Sequence, residues 1–157
     1  MKNKTILISK NKKAYYEYFI EKKIECGIIL QGWEIKSIRS KKTNINNSYI
    51  IIKSGEAYLL GAVFTPLSTV LQKYDYDTHR NRKLLLHRKE IDYLQGKIKK
   101  DRSAIIALSL FIKNAWCKLS VGIAKGKSNT DKRFSEKEKE WKILQLKINK
   151  NKNKYLK

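Results

Sequence analysis

Few side chains in this sequence belong to types that make or break bonds. Asp75, Asp77 and His79 sit close enough along the chain to be drawn around a cation. Apart from the distant His87, however, no further His or Cys stands near to complete a coordination shell. A solvated loop that also holds Arg80 is the expected reading. Gly122, Gly126, Lys127 and Ser128 imitate a phosphate-binding loop, but three residues separate the glycines where that loop needs four. The deletion removes part of the backbone amide cradle that would wrap a phosphate. Glu34, isolated between Trp33 and Ile35, is expected to serve structure. With two histidines and no nucleophile elbow, general acid–base or triad catalysis has few candidates. Neither an enzyme nor a bound metal or cofactor is expected.

What the chain does supply is positive charge interleaved with rings. Thirty-six Lys and Arg stand against 14 Asp and Glu, a net +22, together with nine Tyr, four Phe and three Trp. Cations neutralise phosphates and rings stack on bases, so this pairing suits RNA. The abundance of Asn and Ile beside Lys points to some compositional drift. Drift adds Lys, but it does not explain the shortage of acids to balance it. Most of the rings are expected in the core. Cys26 and Cys117 lack the spacing of a disulfide framework or zinc site and read as reduced, core-filling thiols. No apolar run approaches the roughly 18 residues of a membrane span, and Ile6 to Ile8 is too short for a signal-peptide core. A cytoplasmic monomer is expected.

The elements that would carry these residues read as one β-rich domain with basic ends. Residues 1–13 contain five lysines and no acid and predict a solvated, mobile arm. Tyr15 to Leu30 reads as a long strand with a bulge at Gly27. Trp33 to Arg39 is too short to assign by period alone. Ser48–Lys53 and Glu56–Val63 form a hairpin about Ser54 and Gly55. Residues 68–82 are a loop, and Lys83 to His87 is a short strand. Ile91, Leu94 and Ile98 predict a helix over Lys89 to Lys100, with lysines favourable in its last turn. Ser103–Lys113 and Trp116–Ala124 make a second hairpin about Asn114 and Ala115. In residues 122–157, twelve basic residues face four acidic ones, a net +8, so this segment is a tail. Ser135 with Glu138 fits a capping box, and Phe134, Trp141, Leu144 and Ile148 would share one helical face, with Ile143 and Leu146 off it.

Several segments in register resemble one family, the small protein B or tmRNA-binding proteins of bacterial trans-translation. They are Asn11-Lys12-Lys13-Ala14; Leu30-Gln31-Gly32-Trp33-Glu34-Ile35-Lys36-Ser37 with Arg39; Asn47-Ser48-Tyr49; Arg82-Lys83-Leu84-Leu85-Leu86-His87; Gly122-Ile123-Ala124-Lys125-Gly126-Lys127; and Asp131-Lys132-Arg133. The resemblance implies an antiparallel oligonucleotide-binding-like β-barrel with small flanking helices, in an α+β, mainly β fold. It makes Gly32 to Arg39 helical. Residues 14–124 are then expected to be the RNA-binding barrel, and the basic tail, residues 125–157, is expected to be helical on the ribosome. It further implies a non-catalytic protein that binds the tRNA-like part of tmRNA, stands in for a missing anticodon stem, and delivers tmRNA to stalled ribosomes.

Carried over by motif, the expected tmRNA contacts are Asn11, Lys12, Lys13, Glu25, Arg82, Lys83, Leu85, Lys125 and Lys127. Leu85 reads equally well as core. The expected ribosome contacts are Asp131, Lys132 and Arg133 at the decoding centre, with Trp141 and Ile148 in the message channel. Thr130 departs from the family, where His or Tyr often precedes Asp-Lys-Arg. Residues 149–157 are a polar Asn and Lys run. A ribosomal or cold-shock-like RNA-binding module is the alternative that shares the charge and the barrel.

Overall fold

The computed structural model describes the backbone of residues 5–68 and 76–154, and the side chains of these up to residue 148. Asp75 lies outside the described residues. The chain divides into two units, Met1–Lys125 and Gly126–Lys157.

The strands are β1 (Thr5–Lys10), β2 (Tyr18–Ile28), β3 (Thr43–Asn44), β4 (Tyr49–Lys53), β5 (Glu56–Leu60), β6 (Val63–Phe64), β7 (Arg82–Leu85), β8 (Ala104–Lys113) and β9 (Trp116–Gly126). The helices are α1 (Lys12–Glu17), α2 (Gly32–Arg39), α3 (Arg88–Asp101) and α4 (Asn129–Lys154). The main sheet runs β1-β8-β4-β5-β7-β2-β9, and β9 returns to pair with β8, so the strands close partly into a ring. Mainly β with small helices is therefore the architecture.

Two tight turns begin the ring. Ser54 and Gly55 both have positive φ, 52° and 75°, as do Asn114 and Ala115, 50° and 68°. Left-handed pairs of this kind match the right-handed twist of the flanking strands. They set Lys53 opposite Glu56 and Lys113 opposite Trp116. Alternation does the rest: Ile50, Ala57, Leu59, Leu84, Leu110, Leu119, Val121 and Ile123 turn inward into one core. Cys26 and Cys117 are free thiols at that core, and burial pushes them up to about 12 and about 11, so both stay protonated at neutral pH.

Within the expected arm, Thr5–Lys10 instead form strand β1, antiparallel to β8, with Thr5 opposite Lys113 and Lys10 opposite Ser109. Asn11 ends this strand as a buried hub. Its side chain accepts from Ala14 N at 2.9 Å to cap α1, and donates to the carbonyls of Ala107 (2.9 Å) and Ile45 (3.2 Å). The expected long strand from Tyr15 thus begins as helix and becomes strand only at Tyr18.

One seam of the ring is thin. β4 meets β8 at a single register, Tyr49 opposite Ile106, with one further bond from Ala107 N to Ser48 O at 3.4 Å. Along the seam lies a cavity of about 650 Å³ whose lining includes Asn47, Tyr49, Ile51, Ile98 and Ser103. The Ser103 hydroxyl is buried without a hydrogen-bond partner among the described residues.

The capping box of α4 lies at Ser128 and Asp131, not at Ser135 and Glu138: Asp131 Oδ2 accepts from Ser128 N (3.1 Å) and Ser128 Oγ (2.6 Å), and Asp131 N donates to Ser128 Oγ (3.2 Å). These bonds hold the Asp131 carboxyl below the ordinary aspartate range. Ser135 falls inside the helix, where Lys127 Nζ donates to its hydroxyl at 3.2 Å.

Candidate nucleic-acid interface

Register fixes which side chains leave the ring. On β5 and β7, Ala57 pairs with Leu84 and Leu59 with Arg82, all buried, so the alternate pair Tyr58 and Lys83 turns outward. Leu85 turns outward with it, opposite Gly27 of β2. Leu85 is 55% exposed, which removes the core reading of this residue. A Cβ at Gly27 would meet Leu85 Cβ and Cδ1 at 3.2 Å, so the absence of a side chain at 27 lets Leu85 lie across β2. Two residues back on the same face, Glu25 is paired with Lys113 at 3.4 Å.

The outer face of β5, β7 and β2 therefore brings Glu25, Tyr58, Lys83 and Leu85 together. Its charges are tied to one another. Glu56 accepts from both Lys83 Nζ and the Tyr58 hydroxyl, the latter at 2.6 Å. The Lys83 bond holds the Glu56 carboxyl down, and Glu56 in turn raises both Lys83 and the Tyr58 hydroxyl. Lys83 is thus a cation at any physiological pH. An apolar ledge, a ring and oriented charges on one face can meet ribose, base and phosphate together.

Arg82 does not belong to this face, and its expected place among the exposed tmRNA contacts is corrected here. Its side chain is fully buried, with Nε 2.7 Å from Glu34 Oε1, and with donations to the carbonyls of Ala62, Arg80 and Thr78. Its guanidinium stacks over the Phe64 ring at 3.9 Å. Glu34 Oε2 also accepts from Arg80 Nη2 at 2.6 Å and caps α2 by accepting from Gln31 N at 2.7 Å. Burial pulls the Arg82 guanidinium down and Glu34 opposes that shift. A buried carboxylate between two arginines and a helix N-terminus is satisfied on every side. This cluster ties α2 and residues 78–82 to the inner side of β7. The sequence flagged Glu34 as structural; its partners carried no separate signal.

Asn11 is corrected in the same way, because its amide is consumed by the three bonds described above and is fully buried. The neighbouring Lys12 and Lys13 are exposed on α1. Lys13 reaches Asn47 Oδ1 at 3.3 Å and Glu17 at 3.8 Å. Lys10 and Lys23 both stand over the Tyr15 ring, at 5.4 and 5.1 Å, and Lys22 stands over Tyr93 at 4.6 Å. Cations held over rings are attractive to phosphate and base alike. Lys125 is exposed at the end of β9.

In the second unit, Lys127 is half-buried at the start of α4, where its ammonium meets Ser135. The Asp131 carboxylate is committed to the helix cap, so it fixes where α4 begins. Lys132 is half-buried and Arg133 exposed just beyond it. Phe134, Trp141, Leu144 and Ile148 are exposed along the helix, as are Ile143 and Leu146.

A partly closed, oligonucleotide-binding-like β-ring with a lysine-bearing outer face belongs to the nucleic-acid-binding class of small β proteins. The model of the SmpB protein family matches residues 8–151. The fold is similar to a solved structure described as "tmRNA-SmpB: a journey to the center of the bacterial ribosome", at 32% identity over 77% of this chain and 85% of that one, with a TM-score of 0.62. The chain belongs to the SmpB family.

Proposed function

We propose that this protein binds the tRNA-like part of tmRNA through its β-ring unit and carries it to ribosomes stalled on broken messages, itself making and breaking no bonds. The observation that carries this reading is the family match over residues 8–151. The +22 charge and the outward Glu25, Lys83 and Leu85 fit the same partner. In this reading Lys12, Lys13, Lys83, Lys125 and Lys127 meet phosphates, Leu85 packs on a sugar or base, and Glu25 orients Lys113 or a ribose hydroxyl. Lys132, Arg133, Trp141 and Ile148 meet the ribosome. The site of action is the cytoplasm.

Sequencing the RNA that co-purifies at moderate salt tests the proposal directly: tmRNA should be recovered far above its cellular share. Recovery of bulk ribosomal RNA in proportion to its abundance would overturn it. Binding to the tRNA-like fragment should also fall by roughly four decades per tenfold rise in salt, for about six phosphates at a slope of about 0.7 each.

A further inference from the structure

At the far end of the β8–β9 hairpin, a tryptophan stands in water. Trp116 is 74% exposed, more than any other large hydrophobic side chain among the described residues. Its position is set by the Asn114-Ala115 turn, which places it directly opposite Lys113. The next pair, Ile112 and Cys117, packs partly against the core, so Lys113 and Trp116 share the outward side. Lys113 reaches from there to Glu25. Chain geometry therefore joins Trp116, through Lys113 and Glu25, to the face that carries Gly27 and Leu85 on β2 and β7.

An indole left in water adds little to folding, because the stabilisation a ring brings comes from its burial. Here the ring is nonetheless held on a two-residue turn with both central residues left-handed, which leaves the hairpin end little slack. Lys118, two residues along the same side of β9 and paired with Phe111, adds a cation beside it. A ring with a broad free face, held by a tight turn and flanked by Lys113 and Lys118, matches an unpaired nucleobase with its phosphates.

We propose that Trp116 is a stacking platform for an unpaired base of the bound RNA, extending the Glu25–Leu85 face to the hairpin end. This rests on the proposed binding of the tRNA-like part of tmRNA. The carrier of the recognition is the ring face, so the interaction is insensitive to salt, unlike that of the lysines around it.

The test uses the full chain and the tRNA-like tmRNA fragment, titrated by filter binding at several salt concentrations with Trp116→Ala, Trp116→Leu and Trp116→Phe. Alanine should weaken binding about tenfold, the scale of one lost base–ring stack, with the salt slope unchanged. Leucine should behave like alanine, and phenylalanine should recover most of the affinity. Thermal melting of all three should match the parent, since the position is exposed. Unchanged affinity in the alanine variant, or leucine binding as well as phenylalanine, overturns the platform while leaving tmRNA binding intact. A change in salt slope would assign the site to phosphate contact and overturn it equally. Loss of ribosome association with unchanged fragment affinity would give Trp116 to a ribosomal partner instead. Failure of the parent chain to prefer the fragment over other RNA of equal length sinks the functional reading, whatever the variants do.

Discussion

Trp33 and Trp141 are the same residue type in two regions that treat it in opposite ways. In Met1–Lys125, Trp33 is buried on α2, its Nε1 donating to Gln31 Oε1 at 2.6 Å and its ring 5.1 Å from that of Tyr76. In Gly126–Lys157, Trp141 lies open on α4 with Phe134, Leu144 and Leu146. The first unit is stabilised by what it buries. Helix α4 depends on its own backbone bonds, the Ser128 cap and local pairs such as Lys142 with Glu138 at 2.7 Å. Local terms of this size leave a helix marginal in water. The comparison teaches that the two units hold their structure by different means: the β unit by its buried core, the helix by local bonds with its apolar side chains left exposed.

The largest expected effect separates them outright. Truncation after Ser128 should leave fragment affinity within a few-fold and the main thermal transition in place, yet abolish peptide tagging in a reconstituted translation system. Normal tagging by the truncated chain, or joint loss of tmRNA binding and tagging, would break the comparison.

Next in size is a change confined to the β unit. Glu34→Gln leaves Arg82 buried with its main counter-charge gone, which should destabilise the unit by about 3–5 kcal/mol in urea unfolding. Helix α4 should keep its own unfolding profile in that variant.

A smaller effect sits in the second unit. Ser128→Ala should lower helix stability by about 1 kcal/mol, read as lost circular-dichroism helicity, with the β unit unmoved. Ser135→Ala should do less, since that hydroxyl lies inside the helix. An equal loss at both positions would show that the helix start is not fixed at Ser128.

Smallest is a pH dependence of the same cap. The Asp131 carboxyl is held below its ordinary value by Ser128, so its contribution is present above the unfolded value of about 3.9 and is lost as pH falls through the folded one. Helicity of α4 should therefore hold down to about that pH and decline below it. Asp131→Asn should flatten the decline.

Much of this architecture was legible because it is local. The turns at Ser54-Gly55 and Asn114-Ala115 and the Ile91, Leu94 periodicity of α3 each announce themselves within a dozen residues. The faces of β7 were not legible for a physical reason. Arg82-Lys83-Leu84-Leu85 alternates into two sets, each one basic residue and one leucine, so pattern cannot say which side faces the core. The deciding partner, Glu34, is far away in sequence and close only after folding. The start of α4 was ambiguous in the same sense: Ser128 to Asp131 and Ser135 to Glu138 are both capping boxes by spacing, and only the end of β9 at Gly126 selects the first. The lysines around Ile6 and Ile8 masked β1, whose pairing with β8 depends on residues about a hundred positions away.

The thin seam between β4 and β8 bears on how the ring closes and where it opens. The β4–β5 and β8–β9 hairpins bring together neighbours along the chain, so their loops close at little entropic expense. Tyr49 and Ile106 are far apart in sequence and bring only one ladder register and one extra bond to their meeting. Joining them is therefore expected to follow the closing of the two hairpins, and the seam is expected to open more readily than the five-register β4–β5 ladder. The Ala107 amide, bonded across the seam to Ser48, will accordingly trade its hydrogen with solvent sooner than the amides between β5 and β7.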